Sequence, residues 1–189
     1  FRAWGRILSD DVAYLPGDTR RTRVVDVRNA DGLVSGGFLD VPVLVTGSTE
    51  LLKVTLTWTD PPPAPGIQTA LVNDLNLTVT APNATAYLGN NFIGGVSAPG
   101  GAADTRNNVE QVHISAPDPG VWTVRIDASS VPEGTQGFAL VVTGEIDPGV
   151  SPLTVSSIDP PSTIAPGAAA PEFQVRITEG SDTLVPGSP

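Results

Sequence analysis

The fold is decided by the stretch KVTLTWT, residues 53–59, in which every second residue is large and apolar. Successive side chains of a β-strand point to opposite faces, so the apolar residues of this stretch share one face and the hydrophilic residues share the other. The same alternation occurs in LNLTV at 75–79 and in WTVRI at 122–126. The pattern predicts β-strands that are buried on one face.

Several further segments have the length and composition of strands. They are short, rich in Val, Thr, Leu or Ile, and bounded by Gly, Pro, Asn or Asp. The predicted strands are 22–27, 38–46, 51–59, 75–81, 109–115, 121–127 and 137–143. Many half-buried strands separated by turn-rich sequence predict an all-β fold, a jelly roll or β-sandwich barrel.

Both ends of the chain depart from the strand pattern. We expect residues 1–18 to form a short helix end and a linker, and 19–147 to form the barrel. From 148 to 189 the sequence becomes rich in Pro, Gly, Ser and Ala. Two strand-like pieces of this tail, 153–158 and 173–178, cannot bury a core alone. The tail is therefore predicted to be a linker and the start of a truncated second β-domain, with a flexible low-complexity tail as the alternative.

Composition and charge exclude several classes of protein. The 189 residues include 20 acidic and 10 basic side chains, a formal net charge of -10, no cysteine and no methionine. Nucleic acids and anionic membranes repel such a chain, so neither is expected as a partner. Without cysteine there is no disulfide framework and no thiolate-bound metal. No apolar stretch approaches the roughly 20 residues that span a bilayer.

The same composition bears on the origin of the chain. Arginine is used almost to the exclusion of lysine, and Asp, Ala, Gly and Pro are abundant. This composition favours a secreted, extracellular bacterial protein. Because the chain has neither an initiator methionine nor a signal peptide, we expect it to be a piece of a longer protein.

Catalytic chemistry has little support in the sequence. A Ser-His-Asp hydrolase needs an imidazole base beside its nucleophile, and the chain has one histidine, His113. In its predicted strand His113 lies on the face opposite Val112, so we expect a solvent-facing structural residue. Neither a Gly-x-Ser-x-Gly motif nor a glycine-rich phosphate loop is present. We therefore predict no catalytic residue and no organic cofactor site in this chain.

Oxygen-bearing side chains gather in three loops next to predicted strands. A calcium ion takes six to eight oxygen ligands at about 2.3–2.6 Å, usually from such loops. Aspartate and asparagine also cap strands and make turns, so a purely structural role is the alternative. The candidate calcium ligands are Asp60, Asp74, Asp104, Asn107 and Glu110.

The tryptophans allow two interpretations. Exposed Trp4, Trp58 and Trp122 would form stacking platforms for a carbohydrate. Trp58 and Trp122 are in phase with the apolar residues of their strands, however, so core packing is expected for both.

A set of short motifs occurs in a fixed order along residues 1–146. The motifs are AWGRIL (3–8), WTDPP (58–62), ALVNDLNLTV (70–79), YLGN (87–90), DTRNNVEQV (104–112), GVWTV (120–124) and QGFALVV (136–142). In this order they closely resemble the region that follows the catalytic domain in secreted bacterial subtilisin-like (subtilase) serine proteases. In the tail, VSSIDPPS at 155–162 more weakly resembles the first strands of an immunoglobulin-like cell-surface repeat.

The subtilase resemblance implies a jelly-roll barrel, similar to the P-domain of proprotein convertases, that directly follows the protease fold. Residues 1–18 would then be the end of the catalytic domain and its linker. The family's motifs Asp-Ser/Thr-Gly, His-Gly-Thr-His and Gly-Thr-Ser-Met are absent, so the triad is expected upstream of Phe1. The resemblance implies an accessory domain that stabilises a protease domain in cis, meets protein substrates through the parent enzyme, and in related proteases can hold calcium.

Two other functions remain open at the level of sequence. A non-catalytic binding or adhesion module for protein or polysaccharide would expose aromatic side chains together on one face. Aromatic residues make up 5% of the chain and most lie in core phase, which weighs against that alternative. A spacer that holds the protease away from the cell would suit the Pro- and Gly-rich tail.

Overall fold

A computed structural model describes residues 17–66 and 71–147, Gly149, and the backbone of two short strands in the tail. The chain divides into two compact units, one of Phe1–Pro148 together with Pro186–Pro189 and the other of Gly149–Val185. The helix end predicted within 1–18 falls largely outside the described residues. In the part of the chain that is described, no helix is long and apolar enough to cross a membrane.

The described residues of the first unit form β-strands, a 3₁₀ turn at Asn29–Asp31 and no α-helix. The strands are β1 (Arg21–Val27), β2 (Phe38–Val45), β3 (Leu52–Thr57), β4 (Asp74–Thr80), β5 (Ala86–Ile93), β6 (Val96–Pro99), β7 (Val109–Ile114), β8 (Gly120–Ser130), β9 (Phe138–Gly144) and β10 (Ile146–Asp147). Each strand predicted between 19 and 147 is present. The β5–β6 hairpin was not predicted, because its sequence lacks an apolar alternation.

The strands pair as a long ribbon folded back on itself. The first strand, β1, pairs with β9, and the pairs β2–β8, β3–β7 and β4–β5 are nested inside this pair, all antiparallel. Rolling this ribbon up produces sheet I, with strand order β1-β9-β3-β7, and sheet II, with order β10-β2-β8-β4-β5-β6. Two sheets built from nested pairs in this way are a jelly roll. The predicted all-β jelly-roll architecture is confirmed.

The core lies between the two sheets and follows the alternation of the sequence. On β3 and in the residue that follows it, Val54, Leu56 and Trp58 are buried, and the threonines between them face outward. Trp122 of β8 is 2% exposed and stacks on Tyr87, with ring centroids 6.3 Å apart. The prediction that Trp58 and Trp122 pack in the core is confirmed.

Side chains satisfy backbone groups where the two sheets meet. On the outer edge of β7, Gln111 N–H donates to Asn90 Oδ1 at 3.0 Å and His113 N–H donates to Ser97 Oγ at 2.9 Å. At the opposite seam the buried Arg23 donates from Nη1 to the carbonyl oxygen of Pro42 at 2.7 Å. Where the backbone hydrogen bonds between strands stop, side-chain hydrogen bonds therefore connect the two sheets. They satisfy backbone groups that the edge strands would otherwise leave unpaired.

One detail of the histidine prediction needs correction. His113 does face away from the core, but its ring is half-buried against Phe92 of the unpredicted hairpin, with ring centroids 5.2 Å apart. The hairpin covers a position that an uncovered strand would expose to solvent.

In the tail, β11 (Thr154–Val155) and β12 (Ile177–Thr178) pair antiparallel. Both fall within the strand-like pieces predicted there. The rest of the predicted immunoglobulin-like segment lies outside the described residues, so its assignment stays a prediction.

Core packing is tested by Leu140→Ala. Leu140 is fully buried on β9, so the truncation is expected to lower the free energy of unfolding by about 2–5 kcal/mol through lost apolar contact and a cavity. Val24→Ala, on the exposed face of the paired strand β1, is the control and is expected to cost less than about 1 kcal/mol. Urea unfolding measures both, and equal losses would contradict the assigned core.

Candidate functional site

Residues from four of the motifs lie at one end of the barrel. At this end β3 stops and β4 begins, and the pairing of Thr57 with both Val109 and Ala139 brings the starts of β7 and β9 beside them. We call this the polar end, defined by Trp58, Asp60, Asn73, Glu110 and Gln136.

Trp58 and Asp60 hold the long loop between β3 and β4. The indole Nε1–H of Trp58 donates to the carbonyl oxygen of Asn73 at 2.9 Å. The two carboxylate oxygens of Asp60 accept the N–H groups of Val72, at 2.8 Å, and Asn73, at 2.7 Å. Asp60 is thus used to satisfy backbone N–H groups, which is the structural alternative foreseen for it.

Asn73 connects this loop to the loop before β9. The side chain is 1% exposed, and its Nδ2 donates to Gln136 Oε1 at 2.9 Å and to the carbonyl oxygen of Glu133 at 3.0 Å. Its Oδ1 accepts the N–H of Glu133 at 3.2 Å. Gln136 in turn donates from Nε2 to the carbonyl oxygens of Thr59 and Gly137. Every polar atom of the Asn73 side chain is therefore used inside the protein.

Glu110 is a buried carboxyl group, 1% exposed, on the core side of β7. Its Oε2 accepts the N–H of Leu77 at 2.7 Å, in a stretch of β4 that β5 no longer pairs. Gly89 makes room for it, because a Cβ at that position would lie 2.1 Å from Oε2. Burial, followed by the negative charges of Asp104 and Asp74, raises the pKa of Glu110 to about 8 against the hydrogen bond from Leu77. At neutral pH the carboxyl group therefore keeps its proton.

Three buried oxygen atoms in this region have no hydrogen-bond partner among the described residues. They are Glu110 Oε1, Asp74 Oδ1 and Asn76 Oδ1. Burial and the charge of Asp104 raise the pKa of Asp74 as well. Unpartnered buried oxygens are costly, and a cation or an ordered water is the usual way to satisfy them.

Asp104 and Asn107 form a turn that borders this region. Asp104 accepts hydrogen bonds from the side-chain Nδ2 atoms of Asn90 and Asn107, each at 2.6 Å, and from the N–H of Arg106 at 2.9 Å. Although burial acts to raise it, these hydrogen bonds lower the pKa of Asp104 below its ordinary value. Both residues have the turn-forming role that was the alternative to calcium binding.

The structure separates the five candidate ligands into two groups. Asp60, Asp104 and Asn107 hold backbone and turns, and Asp74 and Glu110 carry unpartnered oxygens. In the ranges 17–66 and 71–147, no three acidic or histidine side chains converge as a metal-binding group. Calcium binding stays a prediction.

Sequence reasoning missed Asn76 and did not anticipate that Glu110 is buried. Asn76 lies two residues after Asp74 on β4 and so on the same face, a signal that was available. Glu110 lies in phase with the buried Val112 and Ile114, which already places its side chain on the core side of β7.

Two known proteins are similar to part of this chain. The Dictyostelium discoideum protein named "Serine protease/ABC transporter B family protein tagB" is 34% identical over 100 residues, which is 51% of this chain and 5% of that protein. Bacillus licheniformis lipase BlEst2 in its propeptide form has a TM-score of 0.37 at 16% identity, over 70% of this chain and 22% of that one. No protein-family profile matches the chain. The chain therefore has a partial similarity to a protein named as a serine protease and spans a small part of its length.

The role of Asn73 is tested by Asn73→Ala. The change removes the hydrogen-bond partner of the buried Gln136 Oε1 and of the N–H and carbonyl groups of Glu133, so the free energy of unfolding is expected to fall by roughly 2–4 kcal/mol. Asn83→Ala is the control, because it removes an exposed hydrogen bond to Thr85 N–H and is expected to cost less than about 1 kcal/mol. Denaturant unfolding that ranks the two variants equally would contradict the network.

The buried carboxyl group makes stability depend on pH. Unfolding lowers the pKa of Glu110 from about 8 towards 4.5, so the folded state binds the extra proton and stability falls as pH rises through this range. The slope has an upper limit of about 1.4 kcal/mol per pH unit. In urea unfolding with a chelator, Glu110→Gln is expected to flatten this dependence, since it keeps an acceptor for Leu77 and removes the charge. Parallel curves for the variant and the parent protein would rule out this assignment.

Proposed function

We propose that this chain is the C-terminal accessory β-domain of a secreted bacterial subtilisin-like serine endopeptidase. In this proposal the catalytic domain lies upstream in the same polypeptide, and the barrel packs on it and slows its unfolding and self-digestion. Protein substrates are then met through the parent enzyme rather than through the barrel.

The observation that carries the proposal is the ordered series of motifs together with the partial match to a protein named as a serine protease. Within the barrel these motif residues have structural roles. Trp58 and Asp60 of WTDPP hold Asn73 of the next motif, and Glu110 of DTRNNVEQV occupies the space left by Gly89 of YLGN. A domain whose described motif residues hold its own loops and core fits an accessory role.

Docking onto a catalytic domain requires apolar side chains on the outside of the barrel. The β5–β6 hairpin provides a compact set, Phe92, Ile93 and Val96, with exposed fractions of 37%, 70% and 36%. Gly94 and Gly95, with φ of 64° and 90°, form the tight turn that projects them. We assign the docking contact to this hairpin tip, because exposed apolar clusters of this kind mark interaction surfaces.

We also propose that calcium contributes to the stability of the barrel. The residues that would hold the ion are Glu110, Asp74 and Asn76, whose unpartnered buried oxygens are the hard ligands that calcium prefers. A bound ion would neutralise the carboxylates and, being absent from the unfolded chain, would stabilise the fold by mass action.

The proposal that a protease domain precedes this chain is tested by sequencing the coding DNA upstream of the Phe1 codon in the same frame. The expected result is a subtilase catalytic domain, with its Asp, His-Gly-Thr-His and Gly-Thr-Ser-Met blocks in that order. A further sandwich domain, or no open frame, would overturn the protease proposal.

The calcium proposal predicts a ligand-dependent rise in stability. A calcium concentration of 100 times Kd is expected to add about 2.7 kcal/mol to the free energy of unfolding. Calcium and the Glu110 proton compete, so the gain is expected to increase with pH towards about 8. Thermal unfolding with calcium or with a chelator measures it.

The variant Glu110→Gln is expected to lose most of this gain, whereas Asp31→Asn, at an exposed acidic residue outside the polar end, is expected to keep it. An equal response to magnesium, or an unchanged response of Glu110→Gln, would contradict the assigned ligands.

A further inference from the structure

A cleft opens on the outside of sheet I at the polar end. Its volume is 290 Å³. It lies between the last residues of β1, the first residues of β9 and the last residues of β3. The side chains that matter below are Asp26, Arg28, Thr57, Thr59 and Ala139, all of which line it.

The cleft exists because the middle strand carries the smallest residues. In the register of sheet I, Ala139 of β9 lies between Asp26 of β1 and Thr57 of β3. Gly137, just before β9, adds no side chain to the floor. A Cβ at position 137 would lie 2.4 Å from the carbonyl oxygen of Val27, so any larger residue there would displace the backbone at the end of β1. The trough is thus fixed by close backbone packing.

Two opposite charges on one wall of this cleft have no partner among the residues that the structure describes. Asp26 and Arg28 are both exposed, and neither side chain takes part in an ion pair or hydrogen bond with the residues described. Arg20 and Arg125, by contrast, pair with carboxylates at 2.8 and 2.6 Å. A cleft wall with an unpaired guanidinium and an unpaired carboxylate offers complementary charges to a zwitterion.

We propose that this cleft binds a short zwitterionic peptide, with its carboxylate on Arg28 and its ammonium on Asp26. Alternate residues of a strand lie about 6.6 Å apart, and the charged ends of an extended dipeptide are separated by a similar distance. Guanidinium binds a carboxylate with two parallel hydrogen bonds. In this proposal Thr57 and Thr59, which line the cleft on the β3 side, contact the peptide unit between the two charges.

Other small ligands fit the cleft less well. A simple anion would meet Asp26 in a protein whose net charge is -10. A sugar would need an exposed aromatic face. The two aromatic residues that line the cleft, Trp58 and Phe138, are only 4% and 3% exposed, and Trp58 directs its indole N–H to Asn73. A dipeptide uses both charges and needs no aromatic platform.

The inference goes beyond the proposed accessory function and does not depend on it. Short peptides with free ends are the products of peptide-bond hydrolysis, so a reaction of that class would supply the ligand. The site itself rests on the cleft, its floor and its unpaired charges. The test uses the 189-residue chain alone, so its outcome is separate from that of the upstream sequence.

The experiment is a titration of the 15N-labelled chain with alanyl-alanine, followed by NMR chemical shifts. Shifts are expected to be confined to the residues that line the cleft, with a Kd of roughly millimolar order, as for other small polar ligands. N-acetylated and C-amidated alanyl-alanine, which each lack one charge, are expected to bind at least about tenfold more weakly. Free alanine and tetra-alanine, whose charges have the wrong spacing, are expected to bind more weakly too.

Variants separate the site from non-specific binding. Arg28→Gln and Asp26→Asn are expected to weaken binding at least about tenfold, and Ala139→Leu to abolish it by filling the trough. Arg106→Gln, at an exposed arginine outside the cleft, is the matched control and is expected to leave Kd unchanged. Circular dichroism and the unfolding midpoint verify that each variant folds.

Three results would overturn the proposal. They are an absence of cleft shifts at high millimolar peptide, equal binding of the blocked peptides, and equal weakening by Arg28→Gln and Arg106→Gln.

Discussion

The side chain of Asn73 is the contact on which the polar end of the barrel depends. It joins the loop after β3 to the loop before β9, residues separated by about sixty positions in sequence, and each of its polar atoms is used. Because a buried amide is stabilising only when all its hydrogen bonds are made, the two loops can be placed only together. Their position in turn fixes Trp58 and Asp60, and with them the end of β3.

The nested pairing of the strands explains why such contacts are needed. The outermost pair, β1 with β9, joins residues at the two ends of the barrel sequence, and little local structure guides it. Backbone ladders cannot continue around both seams, so Asn90, Ser97 and Arg23 complete the closure with side-chain hydrogen bonds. In the interior of the barrel a side chain again satisfies a backbone group, because the carboxyl group of Glu110 accepts the N–H of Leu77.

The sequence alone predicted the strands in which apolar residues alternate regularly, and it missed the features that have no periodic pattern. Alternation placed β3, β4 and β8, and it placed both tryptophans in the core, because burial of one sheet face imposes a period of two. It could not reveal β5, where Gly89 and Asn90 interrupt the pattern to admit Glu110 and to cap β7. The partners of Asn73 were equally invisible, since hydrogen bonds between distant loops leave no periodic signal.

The roles of the motif residues determine what shared motifs indicate about another chain. The motif residues that the structure describes hold loops and close seams, so they specify how the barrel is built. Asp26 and Arg28, the two unpaired charges of the cleft, lie outside every one of those motifs. Chains that share the motifs are therefore expected to share the polar end and the floor of the cleft, and are free to differ at Asp26 and Arg28. Ligand preference in such barrels would then vary with these two charges, because neither of them holds the loops together.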